Sequence, residues 1–283
     1  SIIDPGTLSM EAARNQLIQT CVQAARNQLI QTYVQILYVY RKFCATNPAP
    51  GQLILPESLK LLPLYTLGLL KNKALTGDVA MVKTDERALT GDVAIVKTDE
   101  RAHLIQRLLT LSASETASFV YPRMFPLHNL GANHGYYNQH GQVVMPPTIS
   151  LSAEKLDPEG AYLMDNSETM FLWLGASCPR SFVEQLFGVQ TLLENQLFGV
   201  QTLLENQARH LRLEYRGNDL SQRVMAIVEQ LRQGRASFSI VMQQKDLAEA
   251  NLFAFLVEDR AATVVSYVDF LCHVHGQIQA KLV

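Results

Sequence analysis

"GAYLMDNSETMFLWLGAS", residues 160–177, sets two short apolar runs on either side of the polar tetrad Asp165-Asn166-Ser167-Glu168 and contains the chain's one tryptophan, Trp173. Successive side chains of a strand point to opposite faces. Tyr162 and Met164 therefore oppose Ala161 and Leu163, and in the return run Met170, Leu172 and Leu174 oppose Phe171 and Trp173. Both faces of this predicted hairpin are apolar, so both must be covered. The tetrad is explained by turn chemistry, with Asp165 and Glu168 in solvent and Trp173 in the core.

The stretches around the hairpin supply the cover. Residues 179–189 and 219–234 read as helices. In the second, Asp219 and Gln222 have capping-box spacing, Leu220, Val224, Ile227, Val228 and Leu231 form a stripe, and Gly234 is the stop. "ASFSIVMQQ", 236–244, reads as a further strand. The chain closes in a helix capped by Ser266 and Asp269, with Tyr267, Phe270, Leu271, Val274 and Ile278 on one face.

The first 118 residues are helical in pattern. Ser9 is a candidate N-cap for a helix over 8–45 that Asn47 and Pro48 end. A second helix follows Pro56 and is kinked or split by Pro63. A third spans 99–111, with Leu104, Leu108 and Leu111 on one face. The prolines and glycine of 119–131 break any helix, and the polar, glycine-rich 131–142 is predicted to be an exposed loop.

Three segments are written twice: 12–23 as 24–35, 74–87 as 88–101, and 185–195 as 196–206. Their periods differ and each occurs twice only, which excludes a solenoid. Twelve extra residues turn a helix by a net ~120°, so the apolar stripes of the first pair cannot wholly face the same core. Eleven residues nearly preserve the face, while the fourteen-residue copy suits an enlarged loop.

Several functions are excluded or left without support. The net charge of −2 gives no global field for nucleic acid or anionic lipid. Cys21, Cys44, Cys178 and Cys272 have no paired spacing, which fits buried thiols in a reducing compartment. No dinucleotide, phosphate-loop, zinc-protease or serine-hydrolase motif occurs. His273 and His275 lie on opposite sides of a predicted helix; His134 and His140 share a loop without further ligands. No catalytic or metal residue is assigned.

The hairpin resembles the core of gelsolin-like domains. Its flanks extend the resemblance: "YRKFCA", "GQLILPESLKLLPLY", "TDERA", "YPRMFPL", "LSAEKL", "FLWLGAS", "FLVEDR" and "SYVDFLCHVH" occur in one order. That series resembles the C-terminal part of the COPII vesicle-coat cargo-adaptor family (the Sec twenty-four family), in its C/D subclass. The resemblance implies an α+β chain in which an all-α helical domain is interrupted by a gelsolin-like domain, a central sheet sandwiched between helices. It divides the chain into a helical domain at 1–119, a gelsolin-like domain at 120–262, and a C-terminal helix at 263–283 that returns to the helical part. The duplications and Gly276 depart from the family pattern.

The resemblance also implies a non-enzymatic role in selecting membrane cargo for endoplasmic reticulum to Golgi transport. The implied partners are the sister coat subunit and cargo or SNARE sorting signals. The implied location is cytosolic, at exit sites, with peripheral membrane association and no nucleic acid. No cofactor is expected in this chain, because the family's zinc-finger ligands precede this region. Leu252 and Phe253 are the implied cargo contacts; the alternative is that both, with Phe255, are ordinary core. Two other functions compete. A calcium-regulated actin binder would need an oxygen ligand where Ala161 stands. The GTPase-activating sister subunit would need a catalytic arginine, for which Arg209, Arg212, Arg216 and Arg223 are available by type.

Overall fold

The computed structural model describes residues 10–44, 52–76, 98–188, 212–232, 237–242, 247–261 and 264–282. In chain order the elements are α1 (Met10–Phe43), α2 (Leu62–Lys71), α3 (Thr98–Thr110), α4 (Ala113–Val120), β1 (Arg123–Pro126), β2 (Ala161–Asp165), β3 (Thr169–Leu174), α5 (Arg180–Phe187), α6 (Asp219–Arg232), β4 (Ser237–Met242), α7 (Leu247–Phe253) and α8 (Tyr267–Leu282). They form two compact units. One joins Ser1–Ser112 to Val257–Val283; the other is Ala113–Leu256. The first unit thus ends at 112 and resumes at 257, where the sequence reading set 119 and 263.

The first unit is helical. Its core lies along one stripe of α1, where Val22, Tyr33, Val34 and Leu37 are buried and the Tyr33 ring stacks on Phe270 of α8 at 5.8 Å. Tyr33 and Val34 belong to the second of the tandem copies, Val22 to the first, and Leu37 to the segment after both. In the first copy Leu17 is 64% exposed and Cys21 faces solvent, whereas their counterparts Leu29 and Tyr33 are half-buried and buried. This is the outcome of the 120° rotation. Pro63 splits the predicted second helix: a single turn at Glu57–Leu59 precedes α2, whose first turn takes the proline. Ser9, Asn47 and Pro48 lie outside the described residues.

Cationic side chains fasten this unit at the C-terminal end of α2, where helix carbonyls lack intrahelical donors. Arg26 of α1 donates to the Leu70 and Leu75 carbonyls at 2.6 and 2.9 Å. Arg101 of α3, itself buried, donates to the Ala74 and Thr76 carbonyls at 2.9 and 2.8 Å. The Lys71 ammonium reaches the carbonyls of Val257 and Asp259, where the chain resumes. Ser266 caps α8: its hydroxyl accepts from the Asp269 N–H and donates to the Asp269 carboxylate, which also takes Arg260 at 2.6 Å.

The second unit is built on a four-stranded sheet in the order β1-β2-β3-β4, antiparallel except for the parallel β3–β4 pair. Tyr162 pairs with Trp173, Leu163 with Leu172 and Met164 with Phe171, which puts the two faces as the alternation predicts. Leu163, Leu172 and Leu174 pack in one core with Val183, Leu186 and Phe187 of α5 and Val224, Ile227 and Leu231 of α6. The opposite face carries Tyr162 and Trp173, whose rings lie 5.8 Å apart, and the α7 segment packs there. Gly175, just after Trp173, lets the backbone of 157–158 approach; a Cβ at Gly175 would sit 2.0 Å from the Pro158 carbonyl oxygen.

Some elements differ from expectation. Strand β1 and helices α4 and α7 are added. The cap of α6 is Asn218, whose side chain accepts the Ser221 N–H at 2.9 Å, and not Asp219, which is already helical. Helix α5 stops at Phe187 because Gly188 takes a left-handed φ of 67° and donates to the Glu184 carbonyl. The expectation that the third duplication extends a helix in register falls on residues outside those described. Residues 77–97 and 189–211, which hold most of the last two duplications, lie outside the described residues.

Burial lowers Lys71 to about 8, against the upward pull of Asp259 and Glu258. An unfolded lysine titrates near ~10.4. Between these values the unfolded chain holds a proton that the folded chain has released, so stability rises with pH across that window. Wild type should therefore gain melting temperature relative to Lys71→Met from about pH 8 to about pH 10. A difference between the two that does not change over this range contradicts the assignment.

Candidate functional site

Helix α7 carries both residues singled out as binding candidates, and the structure separates them. Leu252 is fully buried; it is part of the core and presents nothing to a ligand. Phe253 beside it is 36% exposed, an aromatic ring held at the surface between buried Leu252 and Leu256.

What fixes α7 is the hairpin quoted at the outset. Trp173 is buried, and its indole N–H donates to the Glu249 carboxylate at 3.1 Å. Glu249 is itself buried, so this bond satisfies a tryptophan donor and a carboxylate oxygen together. One turn on, Leu252 packs inward, and Phe255 meets Phe171 of β3 with ring centroids 5.7 Å apart. Phe253 is therefore exposed on a rigid support. Nothing in its own sequence context marks Glu249; the signal is indirect, since a buried tryptophan needs an acceptor.

The carboxylates of the hairpin are structural. Asp165 is fully buried, not solvated as its turn position suggests. One oxygen accepts the Ser167 N–H at 3.1 Å and the other meets Arg123 of β1 at 2.6 Å. Asn166 accepts the Glu168 and Thr169 N–H groups, Ser167 takes a φ of 69°, and Glu168 is half-buried. The cause of the burial is β1, an element the sequence reading lacked, which brings Arg123 across from Asp165. Asp157 and Glu159 remain exposed in a separate turn.

The other candidate chemistries are not assembled. His134 accepts the Gly131 N–H within its own loop, and His140 is exposed. His273 is exposed and His275 half-buried, with Gln277 and Gln279 as their partners. Among the described residues no group of three or more His, Cys, Asp or Glu side chains is placed to hold a metal. Burial pushes the Cys178 thiol up to about 11, away from nucleophilic character. Ala161 is buried, with its carbonyl taken by the Leu127 N–H at 2.8 Å. Arg223 is committed to the carbonyls of His134 and Gly131 and stacks on Tyr136 at 5.1 Å, Arg216 pairs with Glu214, and Arg209 is outside the described residues. Among the described residues, no helix is long and apolar enough to cross a membrane.

Comparison with known proteins matches both units. Residues 7–94 match the Sec23/Sec24 helical domain and residues 142–208 match the gelsolin repeat. The chain is 36% identical over 250 residues to Protein transport protein SEC24 B of Arabidopsis thaliana, covering 87% of this chain and 20% of that protein. It is 33% identical over 276 residues to Protein transport protein Sec24C of Homo sapiens, covering 96% and 21%. The crystal structure of the human COPII-coat protein Sec24c matches with a TM-score of 0.68 at 31% identity, over 95% of this chain and 33% of that one. A Sec23/Sec24-type helical domain joined to a gelsolin repeat thus defines the class. Within it, the chain belongs to the Sec24 family. It spans about a fifth of the length of the curated relatives it matches.

The anchoring of α7 can be tested directly. Trp173→Ala should cost about 3–5 kcal/mol from lost core packing. Trp173→Phe keeps most of the volume and should cost less, while loosening α7 through loss of the Glu249 bond. Amide exchange in 247–253 is the measurement. It should accelerate in Trp173→Phe; unchanged exchange there contradicts the anchor.

Proposed function

We propose that this chain acts within a COPII coat cargo adaptor, selecting membrane cargo for transport from the endoplasmic reticulum to the Golgi by binding and not by catalysis. The observation that carries this reading is the similarity along 96% of the chain to human Protein transport protein Sec24C, matched by the likeness to the COPII-coat structure. On this reading the protein works in the cytosol, on the surface of the membrane at exit sites. Its partners are the sister coat subunit and cargo or SNARE sorting signals.

Phe253 is the cargo contact we favour. Its exposure and the rigid mounting of α7 support it, because exposed aromatic side chains on fixed supports are common binding anchors. The competing functions have weaker support. A calcium-dependent actin site finds no oxygen side chain at Ala161, and Asp165 is held by Arg123. An arginine aimed at a nucleotide finds Arg223 already engaged by the carbonyls of Gly131 and His134.

The test uses the full-length adaptor with Phe253→Ala, alongside Leu252→Ala as a core control. Packaging of a subset of cargoes should fall about tenfold or more, as for loss of an aromatic anchor. The melting temperature should fall far less for Phe253→Ala than for Leu252→Ala, which should lower packaging of all cargoes together. Uniform loss for every cargo in Phe253→Ala, with a drop in melting temperature equal to that of Leu252→Ala, would return Phe253 to the core. Specific retention of actin or of a GTPase, in place of cargo tails, would displace the adaptor reading itself.

A further inference from the structure

The helical unit offers one groove to α1, and α1 carries two near-identical segments that fit it. Residues 12–23 and 24–35 differ only where Cys21 in the first stands against Tyr33 in the second. The second copy is docked. Tyr33 and Val34 are buried, and Arg26 holds the Leu70 and Leu75 carbonyls. In the first copy Val22 is buried but Arg14, Leu17 and Cys21 are exposed, although the same residue types, as Arg26 and Leu29, are half-buried twelve positions later in two of these three cases.

We infer that the first copy is a built-in substitute for the second. When the docked contacts fail, residues 12–23 take the place of 24–35. Arg14 then caps the carbonyls of Leu70 and Leu75, Val22 fills the site of Val34, and Cys21 replaces Tyr33. The displaced residues 24–35 loop out between Gln23 and Ile36.

Three observations carry this. The groove meets the same side chain at eleven of the twelve positions in either arrangement. At the twelfth the preference is divided. Tyr33 stacks on Phe270 but buries a hydroxyl that has no hydrogen-bond partner among the described residues. Cysteine gives up the ring and removes that unsatisfied group. Finally, the segment after the duplication has its own anchors: Leu37 is buried, and Arg41 donates to the Gln52 carbonyl at 2.9 Å. It stays in place during an exchange. The exchange then costs the closure of a loop, a term that grows slowly with length. It also gives up the helical turns of 24–35, since α1 already spans both copies, and this keeps the visible arrangement the ground state.

The experiment uses the whole chain with Val34→Asp, which places a charge in the docked copy. Cys21 reactivity toward a thiol reagent is mapped by peptide mass, with exposed Cys44 as the internal reference. Cys21 should react at a rate comparable to Cys44 in wild type and slow by about tenfold or more in Val34→Asp, with helical content retained. Arg26→Ala, a milder change that Arg14 would repair, should shift Cys21 in the same direction. Adding Val22→Asp to Val34→Asp should abolish the protection. Wild-type Cys21 reactivity in both single variants, whether the helix stays or melts, overturns the inference. So does protection that survives Val22→Asp.

Discussion

A helical unit whose chain departs at Ser112 and resumes at Val257 has to be closed by contacts between residues far apart in sequence. The closure is made by cations on carbonyls. Lys71 holds Val257 and Asp259, and within a few residues Arg26 and Arg101 take the remaining free carbonyls beyond α2. Each such bond satisfies a backbone acceptor and ties together segments distant in sequence, and the Arg26 bond to Leu70 takes a carbonyl that the end of α2 leaves open. Burial of these side chains raises the penalty for leaving them unpaired, so the arrangement is favoured only when all three segments are present. The stacked pair Tyr33–Phe270 then adds an apolar seam between α1 and α8.

The gelsolin-like unit has a different basis. Its hairpin is apolar on both faces, so the strands are stable only when α5 and α6 cover one side and the α7 segment the other. The one tryptophan lies where these demands meet. Its ring fills the second face, and its N–H holds the helix that presents Phe253. Trp173 is core, as its place in a central strand implies, and it also holds α7 in position. Asp165 teaches the same lesson from the polar side: its two oxygens join the turn to β1 and leave nothing for a metal.

How much of this is legible in the sequence depends on the range of the interaction. Period and register are local, and the alternation in 160–177 fixes both the strands and their pairing. Helix caps are nearly as local, and Ser266 reads correctly; at α6 the neighbouring Asn218 and Asp219 are both good caps, and only the backbone decides between them. Burial of a polar residue is not local. Asp165 is indistinguishable from a solvated turn residue until β1 is placed, and β1 is only four residues long with a proline at its end. Glu249 is invisible for the same reason: its partner lies 76 positions away. Of the candidate site, the segment was legible through family likeness, but the choice between Leu252 and Phe253 rests on which side of a short helix faces the core.

The first tandem duplication is tolerated because of where it falls. An insertion of twelve residues within the packed length of a helix would rotate everything beyond it by ~120° and break the core. Here the first copy sits at the N-terminal end of α1, so the rotation is delivered to residues that, Val22 and half-buried Ile18 apart, face solvent, and not to Leu37 or Arg41. In the first copy the apolar Leu17 is exposed, whereas its counterpart Leu29 is half-buried. A helix end is thus a place where added sequence can remain both folded and redundant.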